Sequence, residues 1–275
     1  MRTYTQQIAK APLSAQFGLF VICVYVFCAL FAPFITPFSE TEIIADAYAP
    51  ADASMWLGAD NLGRDMFTRL IYGARNTVGV AFATTVLAFL IGGTIGMLSA
   101  TVGGWFDQVM SRTVDILMAV PQLIFALLIL SVVGTNTVSL IFVIAVLDAT
   151  RVFRISRATA MNVVTLDFVE AARLRGESKL WIISREILPN ISAPLIAEFG
   201  LRFCFVFLFI SGLSFLGLGI QPPLAEWGGM VRENAVLITF GEYTPLLPAA
   251  AVALLTVAVN FVVDWLLHLS SGLKD

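Results

Sequence analysis

Residues 76–101 read NTVGVAFATTVLAFLIGGTIGMLSAT, a run that contains no charged side chain. An α-helix rises about 1.5 Å per residue, so roughly 20 apolar residues cross a hydrocarbon core of about 30 Å. This stretch is long enough to do so. It therefore predicts a membrane-spanning helix, and Gly92 and Gly96 within it form a small-xxx-small pair that favours close helix packing.

Five further apolar stretches extend this pattern along the chain, which is 59% hydrophobic and only 13% charged. Soluble domains average about 25% charged residues, so the excess apolar surface needs lipid as its solvent. We therefore predict an all-α integral membrane protein with about six transmembrane helices. Pro121 predicts a kink in the third of them. The other stretches cover approximately residues 17–37, 114–133, 138–152, 194–220 and 245–269.

The first stretch is long and rich in aromatic residues and lacks a cleavage signal, so we interpret it as a retained helix. Residues 1–16 are then a cytoplasmic N-terminal segment, and residues 17–275 form one transmembrane domain. Its external loops are expected at 38–75 and 221–244, and a cytoplasmic loop at 154–190.

Lys and Arg are distributed unevenly between the two sides of this topology, eleven against four, which favours cytoplasmic N- and C-termini. The net charge of −3 carries little information about partners, and nucleic acid is not suggested. The eleven are Arg2, Lys10, Arg112, Arg151, Arg154, Arg157, Arg173, Arg175, Lys179, Arg185 and Lys274, and the four are Arg64, Arg69, Arg75 and Arg232.

The cytoplasmic loop 154–190 is too polar to enter the bilayer and too long for a bare connection. Asp167 and Glu170 predict a capping box that opens a short helix, and Gly176 predicts its end. A second short helix is expected from Ser178 until Pro189 stops it, with Leu188 extended. Two such helices form a compact knob that fits a cleft in a partner. An interfacial hairpin on anionic headgroups is the alternative.

The spacing in this loop also resembles a known motif. Glu170-Ala171-Ala172, three residues, Gly176, nine residues and Glu186-Ile187-Leu188-Pro189 are similar to the EAA loop of ABC importer permeases. Glu186 stands where peptide-importer members often have His, and we expect it to tune the contact. The resemblance implies that Glu170, Ala171, Ala172, Gly176, Leu188 and Pro189 couple the chain to an ATPase.

Two further stretches narrow the resemblance to the dipeptide, oligopeptide and nickel branch of these permeases. WLGADNLGRD at 56–65 resembles the segment between the first two spans, and FLGLGIQPP at 215–223 resembles the loop before the last span. In these loops we expect contact with an extracytoplasmic binding protein, although a local salt bridge that orders the loop is an alternative for Arg64 and Asp65. The candidate residues are Arg64, Asp65, Glu226, Trp227 and Gly228.

The branch resemblance implies the second permease subunit of a bacterial inner-membrane importer with the type I fold. Its partners would be a homologous sister permease, two cytoplasmic ATPases that carry ATP and Mg²⁺, and the binding protein that delivers a peptide-like solute. No lysine follows a glycine here, so the core of a phosphate-binding loop is missing from the sequence. We therefore expect neither catalysis nor a cofactor or metal in this chain. Dipeptides, oligopeptides, opine-like compounds, glutathione and nickel chelates remain open as solutes.

Charged residues within the spans raise two rival functions, a proton- or sodium-driven transporter and an intramembrane hydrolase. The first usually shows an internal repeat, which we do not find. The second would need His268 and a serine such as Ser211, Ser214 or Ser270, and no nucleophile turn precedes a helix. Glu198 and Arg202, four residues apart, are expected to pair. Interfacial positions are expected for Asp115, Asp148 and Asp264.

Overall fold

A computed structural model describes residues 11–271, and within them the chain is helical, with two isolated β-bridges in the loop 36–65 and no strand. The predicted charges Arg2, Lys10 and Lys274 lie outside the described residues. The helices are α1 Leu13–Ile35, α2 Met66–Gly73, α3 Gly79–Val102, α4 Gly104–Ala119, α5 Gln122–Val133, α6 Thr137–Val164, α7 Asp167–Leu174, α8 Lys179–Ile182, α9 Leu188–Phe215, α10 Trp227–Asn234 and α11 Leu246–Ser271.

Four of these helical units are long and apolar enough to cross a membrane, which confirms an all-α membrane fold. The units are Leu13–Ile35, Met66–Val102, Lys179–Phe215 and Leu246–Leu269. Two of them are longer than the sequence suggested, because π-helical turns at Ala74–Val78 and Ile183–Ile187 join short helices to the spans without a break. The fourth predicted span, 138–152, falls within α6, which is not among these units and carries Asp148, Arg151, Arg154 and Arg157 from its middle onwards. That it crosses the membrane stays a prediction.

The third predicted span differs from a kinked helix. Residues Gly104–Ala119 and Gln122–Val133 meet at an angle of 89°, with the break at Val120 and Pro121. Pro121 forces the preceding residue into an extended conformation, and Val120 has ψ of 132°, so the helix ends instead of bending. The two helices count together as one span at most.

The core of the bundle is the pair α3 and α6, which pack along most of their length. The expected glycine contact is confirmed, since the backbone of α6 lies against Gly92 and Gly96. A Cβ built on Gly92 would stand 2.3 Å from the carbonyl oxygen of Ala149, and one on Gly96 would stand 2.7 Å from that of Phe153. Only hydrogen fits at these positions, so the glycines set the distance between the helices.

Helices α1 and α11 pack against each other at the edge of this core. Gly18 of α1 faces the carbonyl of Ala258 in α11, and the hydroxyl of Tyr25 donates to the carbonyl of Ala251 at 3.0 Å. The remaining surface of α1 is apolar and exposed, as at Phe20 and Leu30, which suits contact with lipid.

Candidate functional site

The first half of the predicted knob is α7 and the turn that follows it. Helix α7 ends in a Schellman motif, in which the Gly176 N–H donates to Arg173 and the Glu177 N–H donates to Ala172. Gly176 has φ of +80°, so the left-handed turn expected there is present. The expected capping box is wrong, because Leu166 occupies the N-cap position and no side chain caps the helix. Asp167 is already helical.

The second half begins as predicted, with the Ser178 hydroxyl accepting from the Trp181 N–H at the start of α8. Its predicted end at Pro189 is wrong. Leu188 is helical, with φ of −55° and ψ of −43°, and Pro189 occupies the first turn of α9. Proline crowds the carbonyl four residues before it, and the wider π turn Ile183–Ile187 lies just where that crowding would fall.

The inner face of the knob is apolar and fully buried. Val169 and Ala172 of α7 pack with Ile182 and Ile187 of the second half, and together they rest on the cytoplasmic ends predicted for α3 and α6. From those two helices Met97, Ala160 and Val163 complete the cluster. The knob, defined here as residues 167–187, is therefore fixed to the bundle core and does not hang from it as a loop.

The outer face of the knob is exposed and mixed in character. Leu174 is 83% exposed and Leu180 is 70% exposed, and Arg173, next to Leu174 in α7, is exposed as well. Apolar side chains this exposed, held on rigid short helices, are typical of an anchor for a partner.

Charged and aromatic side chains connect the two halves of the knob. The guanidinium of Arg175 lies 5.9 Å from the ring centre of Trp181 and 3.9 Å from carboxylate oxygens of both Glu177 and Glu186. Glu186, the residue that departs from the peptide-importer pattern, thus faces the first half of the knob. These contacts are half-exposed and individually weak, and together they hold the turn around Gly176 in shape.

The structure places the six predicted coupling residues in three settings. Glu170, Ala171 and Gly176 lie on the exposed side of the knob, where a partner would meet them, and Ala172 lies on the buried side. Leu188 and Pro189 lie at the start of α9, both exposed.

On the other end of the molecule the loops form a buried ionic cluster. Asp60 lies 2.7 Å from the guanidinium of Arg64 and 3.1 Å from that of Arg69. Glu233 of α10 lies 3.3 Å and 3.6 Å from the same two arginines. Asp60 and both arginines are at most 3% exposed, so the cluster ties the loop after α1 to α10 inside the protein.

The five residues proposed for binding-protein contact lie in this interior. Asp65 caps α2 by accepting from Thr68, and Glu226 caps α10 by accepting from Gly229. Burial raises the pKa of the Glu226 carboxyl. Trp227 is 1% exposed and donates its indole N–H to the carbonyl of Leu70 at 2.9 Å.

Gly228 completes this interior, with the carbonyl of Ser211 against it. Arg64 forms a salt bridge that orders the loop, but its partners are Asp60 and Glu233 and not Asp65, which caps α2. Contact of these residues with a binding protein stays a prediction. In the structure they connect the loop after α1 and helix α2 to α10. Sequence reasoning missed four residues of this region, Asp60, Arg69, Glu233 and Glu40. The carboxylate of Glu40 accepts hydrogen bonds from the side-chain amide of Asn76 and from the backbone N–H of Ala225. Only the spacing of Asp60 and Arg64, four residues apart, could have pointed to the cluster.

A third polar cluster lies midway along α6 and α9. The predicted pair is present, with Arg202 2.8 Å from Glu198. Arg202 also lies 3.6 Å from Asp148, which is fully buried, so the interfacial position expected for Asp148 is wrong. The guanidinium groups of Arg151 and Arg202 lie 4.5 Å and 5.3 Å from the ring centre of Phe205. Asp115 and Asp264 are exposed, and their interfacial positions stay predictions.

Comparison with known proteins places these features in a family. Residues 92–271 match the family described as binding-protein-dependent transport system inner membrane component. The chain is 33% identical to a dipeptide transport system permease protein of Alkalihalophilus pseudofirmus, over 98% of this chain and 86% of the relative. It is 33% identical to a di/tripeptide transport system permease protein of Pseudomonas aeruginosa, over 94% and 85% of the two chains. A glutathione transport system permease protein of Pectobacterium atrosepticum is 28% identical, over 100% of this chain and 89% of the relative.

Proposed function

The chain belongs to the family of binding-protein-dependent transport system inner membrane components, and from this premise we propose that it is the second of two permease subunits in an ATP-driven importer. The protein is a multi-pass membrane permease related over nearly its whole length to peptide and glutathione permeases. The solutes named for these relatives share a peptide backbone. We assign peptide-like solutes to this chain on that basis.

The observation that carries the proposal is the continuity between the knob and a membrane span. Lys179–Phe215 is one helical unit, so the second half of the knob and α9 form a single lever. The buried face of the knob fixes the first half to the same lever. A partner that grips the exposed face around Leu174 and Gly176 therefore moves α9 directly. This is the arrangement that coupling to an ATPase requires.

The partners follow from the division of labour within such an importer. Two ATPases with bound ATP and Mg²⁺ would contact the knob, because this chain has no Gly-Lys pair of its own to hold phosphate. A sister permease would complete the pore, and an extracytoplasmic binding protein would deliver the solute. With the knob in the cytoplasm, both termini lie on the cytoplasmic side, and the ionic cluster of Asp60 and Glu233 lies outside.

Gly176 offers a direct test of the coupling proposal. A Cβ added at Gly176 meets nothing within 4 Å, so a substitution there acts through the backbone alone. Valine strains a residue at φ of +80°, at about 1–3 kcal/mol, whereas asparagine tolerates this conformation. We expect Gly176→Val to insert into the membrane but to lose ATPase copurification and uptake. Gly176→Asn, the matched control, should retain both.

Wild-type ATPase association in Gly176→Val would contradict the coupling role. Normal ATPase association in both Gly176 variants, together with loss of contact between the knob and lipid in Leu174→Glu, would favour the interfacial hairpin as the explanation of this segment.

A further inference from the structure

Four charged side chains lie near the middle of two long helices of the bundle, far from either end. Asp148 and Arg151 are near the centre of α6, and Glu198 and Arg202 are near the centre of α9. A charged side chain that faces lipid hydrocarbon is strongly unfavourable. Arg151, Glu198 and Arg202 are each partly exposed on the single chain. The face they share must therefore meet water or protein, not lipid.

The two arginines of this cluster are in different situations. Arg202 has two carboxylates near its guanidinium, from Glu198 and Asp148, and its charge is neutralised locally. Among the residues that the structure describes, no carboxylate oxygen lies within 4 Å of the Arg151 guanidinium. Arg151 instead stacks on Phe205, which holds its planar group in a fixed orientation.

Unsatisfied polar groups surround Arg151. It lines a cavity of about 170 Å³ at the break between α4 and α5. Gln122 lines the same cavity, and its amide nitrogen is buried without a hydrogen-bond partner in the described part of the chain. Both carboxylate oxygens of the fully buried Asp148 also lack a hydrogen-bond partner there. Native proteins leave few such groups unpaired, so each needs an explanation.

The surplus of donors and acceptors is what a zwitterion would satisfy. Arg151 and the Gln122 amide, which line the cavity, can donate to a carboxylate, and Glu198, which is partly exposed on α9, can accept from an ammonium group. A peptide carries one group of each kind. The cluster itself contains two cations and two carboxylates, so it favours a solute with balanced charges over a simple cation or anion.

We propose that this face lines the solute pathway and that Arg151 binds the carboxylate of a peptide-like solute as it crosses the membrane. The inference rests on the proposed function, since that function supplies the peptide-like solute. It adds a solute-binding residue in the permease to the selection made by a binding protein.

The first test reads the local environment without any solute. The three native cysteines of this chain are replaced, and Phe205→Cys in the assembled importer is treated with a sulfonate-bearing and with a trimethylammonium-bearing methanethiosulfonate reagent. We expect Phe205→Cys to react with the sulfonate reagent about tenfold faster than Ile196→Cys, an exposed position on another face of α9. The sulfonate reagent should also be favoured over the ammonium reagent, and Arg151→Gln should reduce this preference about tenfold.

The second test measures uptake of a radiolabelled dipeptide into proteoliposomes that contain the whole importer. Arg151→Gln should lower uptake about tenfold with unchanged ATPase association, and Arg151→Lys should recover part of the loss because it restores the charge without the bidentate fork. A merely structural role would not be rescued by charge alone.

Each outcome decides the matter. Reactivity of Phe205→Cys no greater than that of Ile196→Cys would place this face in lipid or in a sealed interface and overturn the proposal. Wild-type uptake by Arg151→Gln would do the same. If the unmodified importer takes up no dipeptide, a dipeptide is not its solute. The reagent preference at Phe205→Cys, measured with Arg151 intact, still decides whether Arg151 presents a positive charge to the pathway.

Discussion

The contact between α3 and α6 makes a sharp prediction, because two adjacent glycines meet very different surroundings. A methyl group at Gly92 would stand 2.3 Å from the backbone oxygen of Ala149, where ordinary contacts are 3.4–4 Å. A methyl group at Gly93 would have as its nearest neighbour the hydroxyl of Ser156 at 3.8 Å. The first substitution must push two helices apart by about 1 Å, and the second fits without movement.

The magnitudes follow from these distances. Overpacking of this kind costs about 1–3 kcal/mol, and replacing glycine by alanine within a helix returns about 1 kcal/mol. Gly92→Ala should therefore be neutral to destabilised by about 2 kcal/mol, and Gly93→Ala should be stabilised by up to about 1 kcal/mol. For chains of this size 1 kcal/mol shifts the melting temperature by about 2–4 °C.

Thermal unfolding of the two purified variants in detergent, followed by tryptophan fluorescence, measures the difference. We expect Gly93→Ala to melt several degrees above Gly92→Ala. Equal melting temperatures, or the reverse order, would refute the close approach of α3 and α6 and with it the packing that holds the knob.

Two further predictions concern the loops outside the bundle. Asp60→Asn removes the negative charge that Arg64 and Arg69 share and should lower the free energy of unfolding by about 3–5 kcal/mol. A lower melting temperature and faster proteolysis of the loop 38–65 would show this loss. The control Asp52→Asn, at an exposed position in the same loop, should change neither. Single cysteines at Asp46 and Glu242 should react with impermeant reagents only from outside and one at Arg173 only from inside, and the opposite pattern would reverse the proposed orientation.

Sequence reasoning succeeded where the cause is local. The apolar runs predict the spans because the bilayer sets their length, and the left-handed turn at Gly176 follows from the short segment around it. Ser178 likewise caps the helix that directly follows it. None of these features depends on what lies across the bundle.

The wrong predictions depended on a choice between local alternatives or on distant partners. A proline can end a helix, kink it or enter its first turn, and the sequence around Pro121 and Pro189 does not decide between these outcomes. Asp148 is buried because Arg202, more than fifty residues later, reaches it. The ionic cluster also joins distant residues, since Glu233 pairs with Arg64 across the fold.

The knob and Arg202 belong to one helical unit, Lys179–Phe215, and this connects the two proposals. From Ile187 to Arg202 the chain advances by about 22 Å at 1.5 Å per residue, so a tilt of about 5° at the π turn displaces Arg202 by about 2 Å. That displacement is enough to break a pair between α9 and α6, such as Arg202 with Asp148 at 3.6 Å. Motion that begins at Gly176 would then rearrange the charges around Arg151. The two variants should therefore have different effects. Gly176→Val should stop the motion and leave the reagent preference at Phe205→Cys intact. Arg151→Gln should remove that preference and leave ATPase association intact.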